Sequence, residues 1–179
     1  MKKQHVFTLL ALVLALGITF PGCMTKGPAD TLSGDNEVPA VTTDAEGKAN
    51  FTLNSAGDVL SYTLNATDID NVMQAHIHLA SAGKNGPVVA WLYPSAPPAV
   101  LISGTHNGLL AEGEIVASEL MGPLAGMTIS DLMDAIEAGN AYVNIHTSAY
   151  PAGEIRGQIR ASAATLTRLA NRPADDLPV

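Results

Sequence analysis

The chain has 179 residues, of which 47% are apolar, so one domain with a substantial core and additional targeting and tail segments is expected. Its 17 acidic and 9 basic residues give a net charge of −8, which argues against nucleic-acid binding because the chain would repel a phosphate backbone. The single cysteine, Cys23, excludes an intrachain disulfide and leaves the rest of the chain without a thiol for metal binding or nucleophilic catalysis.

The first 22 residues have the pattern of an export signal. Lys2 and Lys3 provide a positive start, and an apolar stretch follows at residues 6–16. That stretch is shorter than the roughly 20 apolar residues that a membrane-spanning helix needs. We therefore expect residues 1–22 to be a signal peptide and the protein to be exported.

The residues around Cys23 are similar to the lipidation site of bacterial lipoproteins, although Phe20 and Pro21 depart from the usual pattern. The resemblance implies that Cys23 becomes the lipidated N-terminus, that residues 23–30 form a tether, and that the protein is anchored to the cell envelope. Because Met24 follows the cysteine, the resemblance favours the outer membrane in a cell that has one. The alternative is an ordinary cleaved signal with an incidental cysteine.

From residue 31 onward, apolar and polar residues alternate with a period of two, which is typical of β-strands. Strands are predicted at residues 48–54, 59–65, 74–80, 88–93, within 109–116, and at 141–147 and 154–161. This number of short strands with turns between them predicts an all-β domain over residues 31–161, an antiparallel Greek-key-like β-sandwich of about seven or eight strands. Residues 162–179 are predicted to be a flexible C-terminal tail.

One helix is predicted near residues 129–138, as an excursion between strands. Apolar residues recur there at helical spacing, and Thr128 with Asp131 resembles an N-terminal capping box. Gly139 is well placed to end the helix.

Three histidines lie on predicted strands. His76 and His78 are two residues apart and therefore share one face, opposite Ile77. His146 lies on a later strand, where the apolar residue Ile145 marks the opposite face. Both strands should turn their histidines away from the core, and three imidazoles from neighbouring strands could hold one copper or zinc ion.

The alternative is a structural polar cluster without a metal. If residues 141–147 and 154–160 pair as a hairpin with His146 opposite Glu154, then Asn144 faces Arg156. Asn144, Glu154 and Arg156 could then support the histidines. Glu154 and Arg156 could also form an ion pair. In a metal site, the fourth position could be filled by water, by His106 or by Glu154.

Five motifs occur in an order that is similar to the CHRD domain, first named from chordin and found in many secreted bacterial proteins. They are LSGDNEVP at residues 32–39, AHIH at 75–78, NGPVV at 85–89, AGNAYVNIHT at 138–147 and PAGEIRGQI at 151–159. The resemblance covers residues 31–161 and implies an extracytoplasmic β-sandwich module, without implying a particular activity.

The His-x-His strand is also similar to that of copper-zinc superoxide dismutase. The chain departs from that family because it lacks the further dense set of histidines and aspartates for a zinc site and has no disulfide cysteines. Dismutase activity is therefore not inferred.

Two functions remain open. The first is a lipid-anchored, non-catalytic module outside the cytoplasm that binds a protein, glycan or metal partner. The second is a copper- or zinc-binding or redox protein that uses His76, His78 and His146. A metal site requires the three imidazoles to lie within about 5 Å of a common point.

Overall fold

The computed structural model describes residues 31–160, which form seven β-strands, one α-helix and three short 3-10 turns. The elements are β1 (Thr31–Ser33), β2 (Glu46–Leu53), β3 (Val59–Leu79), β4 (Val88–Tyr93), β5 (Ile102–Val116), α1 (Ile129–Glu137), β6 (Ala141–Thr147) and β7 (Ile155–Gln158). The predicted antiparallel, mainly β fold with one helix is confirmed. The signal peptide, tether and tail predicted at residues 1–22, 23–30 and 162–179 lie outside the described residues.

All seven strands belong to one continuous sheet. Five of them pair in the order β2, β1, β7, β6, β3, and a further pairing between β2 and β3 closes this row into a ring. Strands β4 and β5 each pair with β3 outside the ring. The pairing thus differs from the predicted sandwich, in which two separate sheets would face each other.

The long strand β3 explains this difference. The two strands predicted at residues 59–65 and 74–80 are the two ends of β3, which runs without interruption over 21 residues. Asp68 and Asn71 have φ angles of 51° and 53° near its middle, a conformation that Asp and Asn tolerate better than most residues, and the pairing with β5 shifts register there. One end of β3 pairs with β2, and the other end pairs with β4 and β6.

Helix α1 begins where the sequence predicts. The side chain of Thr128 accepts a hydrogen bond from the Asp131 backbone N–H, and the Asp131 carboxylate accepts one from the Thr128 backbone N–H at 2.8 Å. The apolar face of the helix is buried, and Gly139 follows its end with a φ of 71°. Within residues 31–160, no helix has the length and hydropathy required for a membrane span.

The core uses the apolar face of the strands that carry the histidines. Ala75 and Ile77 of β3 and Val143 and Ile145 of β6 are fully buried in one hydrophobic cluster, which also contains Ile155 of β7. Because strand side chains alternate, the intervening residues of all three strands point to the other side of the sheet. That second face is polar, and loops cover it.

Candidate metal centre

The polar face of strands β3, β6 and β7 brings the predicted site residues into adjacent rows. The register between β3 and β6 places Gln74 opposite His146, His76 opposite Asn144 and His78 opposite Tyr142. On the other side of β6, Asn144 is opposite Arg156 and Tyr142 is opposite Gln158. The predicted alignment of Asn144 with Arg156 is therefore present. His76 and His78 are two residues apart on β3, and His146 lies on the neighbouring strand β6. All three side chains therefore project from the same face and can converge.

The three histidines do converge. One ring nitrogen each from His76, His78 and His146 lies within 4.8 Å of the others. The His76 Nδ1 and His146 Nε2 atoms are 3.2 Å apart, and the three residues are 3%, 8% and 5% exposed. Two nitrogens bound tetrahedrally to one zinc ion would be about 3.3 Å apart, given Zn–N bonds of about 2.0–2.1 Å. The cluster is thus near the dimensions of a metal site before any ion is bound.

Backbone carbonyls orient two of the rings. His78 Nδ1 lies 2.9 Å from the Gly86 carbonyl oxygen, and His146 Nδ1 lies 3.0 Å from the Pro151 carbonyl oxygen. A carbonyl can only accept, so each Nδ1 must donate, which leaves the Nε2 lone pair of a neutral ring free. Metal-binding histidines commonly donate their second ring N–H in this way, because the bond fixes the ring for coordination.

Burial keeps the histidines neutral. It lowers the pKa of His76 to about 3, with further lowering by the neighbouring His146 and His78. Burial also lowers the pKa of His146 to about 4, helped by His78 and opposed by the hydrogen bond to Pro151, and it lowers the pKa of His78. Neutral imidazoles are the form that binds a metal, so the rings are ready to coordinate at neutral pH.

Two aromatic side chains pack against the histidine rings. The Trp91 ring meets His76 edge-on, with centroids 4.3 Å apart and an interplanar angle of 88°. The Tyr142 ring stacks on His78, with centroids 5.0 Å apart and an angle of 14°. Trp91 was not among the predicted site residues, and the pairing of its strand with β3 is what brings it opposite His76.

Arg156 ties together the loops that cover the histidines. Its guanidinium donates to the Asn36 carbonyl oxygen, to the Lys84 carbonyl oxygen at 3.3 Å and to Asn85 Oδ1 at 2.8 Å. It also lies 4.9 Å from the centroid of the Tyr142 ring. One buried cation therefore holds both the turn after β1 and the loop after β3 over the polar face.

Glu154 does not form the ion pair that was one of the predicted alternatives. Its two carboxylate oxygens accept hydrogen bonds from the hydroxyls of Thr43 at 2.7 Å and Thr147 at 2.6 Å, and it makes no ion pair with Arg156. Within residues 31–160, the group of potential metal ligands around the histidines includes neither Glu154 nor His106. Glu154 instead anchors the loop before β2 to the end of β6.

Glu37 is a buried carboxylate near the cluster that strand alternation does not predict. It is buried, and its Oε2 atom lies 3.8 Å from Arg156 Nε. Burial raises the pKa of Glu37 to about 7, against the lowering effects of Arg156 and the Val38 backbone N–H. Glu37 belongs to the motif at residues 32–39, and its partner Arg156 lies far away in the sequence on strand β7. No local sequence pattern indicates such a contact.

Glu37 and Asn144 meet beside Gly153. A Cβ atom at Gly153 would lie 2.5 Å from Asn144 Oδ1 and 2.7 Å from Glu37 Oε1, so only glycine fits. Neither oxygen has a hydrogen-bond partner among the described residues, and the same is true of Nε2 of His76 and of His78. Buried polar atoms without partners are rare, so their concentration on this face points to a small polar ligand or ion.

Comparison with known proteins agrees with the sequence motifs. Searches of curated proteins and of solved structures gave no match. The family model described as the CHRD domain matches residues 29–159, well over half of the chain, and this span contains all the residues that build the histidine cluster. The chain belongs to the CHRD domain family.

Proposed function

We propose that this CHRD domain is a non-catalytic binding module that holds one copper or zinc ion with His76, His78 and His146. The observation that carries the proposal is the convergence of three buried ring nitrogens within 4.8 Å. Imidazole suits both metals, and three protein ligands leave a fourth position for water or a partner's ligand.

The hydrogen bonds around the cluster favour a metal over a purely structural role. A structural cluster would be expected to satisfy its own polar atoms, because an unpaired buried group costs about 1–3 kcal/mol. Here the Nδ1 atoms of His78 and His146 are bonded to carbonyl oxygens, whereas Nε2 of His78 has no partner among the described residues. In His78, therefore, a hydrogen bond orients the ring through Nδ1, while Nε2 has no partner among the described residues and is available to bind a metal ion.

The metal content of the protein tests the proposal. The full chain, purified in detergent without a metal-affinity tag, should contain copper or zinc at close to one equivalent. The metal-free chain should gain thermal stability when either ion is added, because the ion binds the folded state. Less than a tenth of an equivalent of any transition metal, together with no stabilisation by either ion, would rule the proposal out.

We also propose that the module is exported and held at the cell envelope by a lipid on Cys23, at the outer membrane in a cell that has one. This part of the proposal rests on the lipoprotein-like pattern of residues 1–23. Expression in a bacterial host with a radiolabelled fatty acid should label the wild-type chain and leave Cys23→Ser unlabelled. Equal labelling of the two would contradict lipidation at Cys23.

A further inference from the structure

A cleft lies next to the histidine cluster, and Trp91 contacts both. This cleft has a volume of about 220 Å³ and is formed by strands β3, β4 and β5 with the segments that follow β4 and β5. Its lining includes two aromatic rings, a proline and a methionine, namely Tyr62, Trp91, Pro97 and Met121. Such a lining suits the apolar body of a small ligand.

Apart from the Ser95 hydroxyl and the Trp91 indole N–H, the polar side-chain groups of the cleft are hydrogen-bond acceptors. Glu114 and Glu119 contribute carboxylates, and both residues are exposed. One oxygen of Glu119, Oε2, also accepts a hydrogen bond from the Val116 backbone N–H at 3.0 Å. The Tyr62 hydroxyl donates to the Leu92 carbonyl oxygen at 2.8 Å, so its oxygen can only accept from a ligand. Burial raises the pKa of Tyr62, and the negative charge of Glu119 raises it further. The second effect reflects a negative potential at the cleft. None of the described residues that line the cleft is cationic.

The combination of aromatic rings, a thioether and two carboxylates matches one ligand chemistry. A primary ammonium group has three N–H donors, which suit carboxylate and tyrosine oxygens, and a cation is attracted to the face of a tryptophan or tyrosine ring. A short alkyl chain would fill the space beside Pro97 and Met121. We propose that this cleft binds a primary alkylammonium group on a short apolar chain, from a free amine or a lysine side chain.

Trp91 makes this proposal testable independently of metal binding. It is the only tryptophan in the chain, and it both lines the cleft and contacts His76. Its fluorescence therefore reports on ligands in the cleft when no metal is present. If the metal proposal fails, the cleft proposal remains open to test, and the reverse is also true.

The experiment is a fluorescence titration of the metal-free full chain with n-butylammonium at low salt. We expect a saturable change in Trp91 emission that n-butanol, which has a similar shape without the charge, does not produce. The binding should weaken at high salt, because the carboxylates are exposed and their attraction is screened. No saturable change with n-butylammonium, or an equal change with n-butanol, would overturn the proposal.

A charge-matched pair of variants identifies the groups responsible. Glu114→Gln combined with Glu119→Gln should weaken n-butylammonium binding by roughly tenfold, since two ionic contacts are lost. Asp44→Asn combined with Glu46→Gln removes the same charge from exposed positions outside the cleft and should leave the affinity unchanged. Equal affinity in the two double variants would overturn the assignment. Tighter binding of Nα-acetyl-lysine methylamide than of n-butylammonium would support the proposal with a lysine side chain as the source, and the reverse would support it with a free amine.

Discussion

Nδ1 of His76 and Nε2 of His146 lie 3.2 Å apart, although the two residues are separated by 70 positions in the chain. Because His146 donates its Nδ1 proton to the Pro151 carbonyl oxygen, its Nε2 carries a lone pair in the neutral ring. The proton between the two nitrogens must therefore belong to His76. If that proton moves to Nε2 of His76, which has no hydrogen-bond partner among the described residues, both facing nitrogens present lone pairs and a metal ion could bind between them.

Removal of one ligand should weaken metal binding strongly while leaving the fold intact. We expect His78→Ala to lower the affinity for copper or zinc by roughly 100-fold or more, because two imidazoles hold an ion far less well than three. His106→Ala is the matched control, since His106 lies on β5 outside the cluster. Equilibrium titration with each ion should separate the two variants, and similar affinities in both would count against the site.

Copper binding should quench the fluorescence of Trp91. The indole is in edge-on contact with His76, with ring centroids 4.3 Å apart, so an open-shell Cu²⁺ ion on that ring would lie close to the fluorophore. In the wild type, we expect the quenching to reach its maximum when one equivalent of Cu²⁺ has been added. In His78→Ala, we expect the quenching to be much reduced. Zn²⁺, which has a closed shell, serves as the control. Quenching by Cu²⁺ of the same extent in the His78→Ala variant would place the ion elsewhere.

The stability of the metal-free protein should fall on acidification. The pKa values of His76 and His146 are lowered to about 3 and about 4 in the folded state, against 6.5 in an unfolded chain. Between pH 6.5 and 4 the unfolded chain therefore binds more protons, and the free energy of unfolding decreases as the pH falls. The loss from His146 alone is roughly 3 kcal/mol. Urea denaturation at several pH values measures it.

Glu37 acts in the opposite direction and supplies a control for the pH dependence. Its pKa is raised from 4.5 to about 7, so the folded state binds the extra proton between these values, and this contribution to stability is lost as the pH rises through 7. Glu37→Gln removes this opposing contribution. We expect the variant to show a steeper loss of stability between pH 7 and 4.5 than the wild type. A shallower dependence would contradict the assignment.

Gly153 should tolerate no side chain. Its φ is 128°, and a Cβ atom would lie 2.4 Å from Asn144 Nδ2, so Gly153→Ala combines backbone strain with overlap of the residues beside the histidines. We expect a loss of roughly 3 kcal/mol in the free energy of unfolding. Gly83→Ala is the control, because Gly83 has a φ of 79° with open space around it and should cost about 1 kcal/mol. Similar losses in both variants would show that the close contact at Gly153 is unimportant.

The sequence was a good guide to local structure and to the histidines because both follow from strand alternation. Period-two patterning located β4 and β6, and it placed His76 and His78 on the face opposite Ile77. It could not show that two predicted strands are the ends of β3, because the left-handed conformations of Asp68 and Asn71 are not a period-two signal.

The surroundings of the cluster were harder to predict because they come from distant parts of the chain. Glu37 reaches Arg156 across 119 positions, and the carbonyl oxygens of Gly86 and Pro151 carry no sequence signal at all. Glu154 lies where strand pairing suggests, but Thr43 and Thr147 engage both of its oxygens. Such partners depend on loop packing, which alternation does not encode.

X-ray absorption spectroscopy of the copper- or zinc-loaded full chain is the most direct test of the central claim. The account predicts one bound ion per chain with three imidazole nitrogens at about 2.0–2.1 Å from it. In the His76→Ala, His78→Ala and His146→Ala triple variant, this imidazole signal should disappear. An ion coordinated by oxygen atoms alone, or an imidazole signal that persists in the triple variant, would contradict the account.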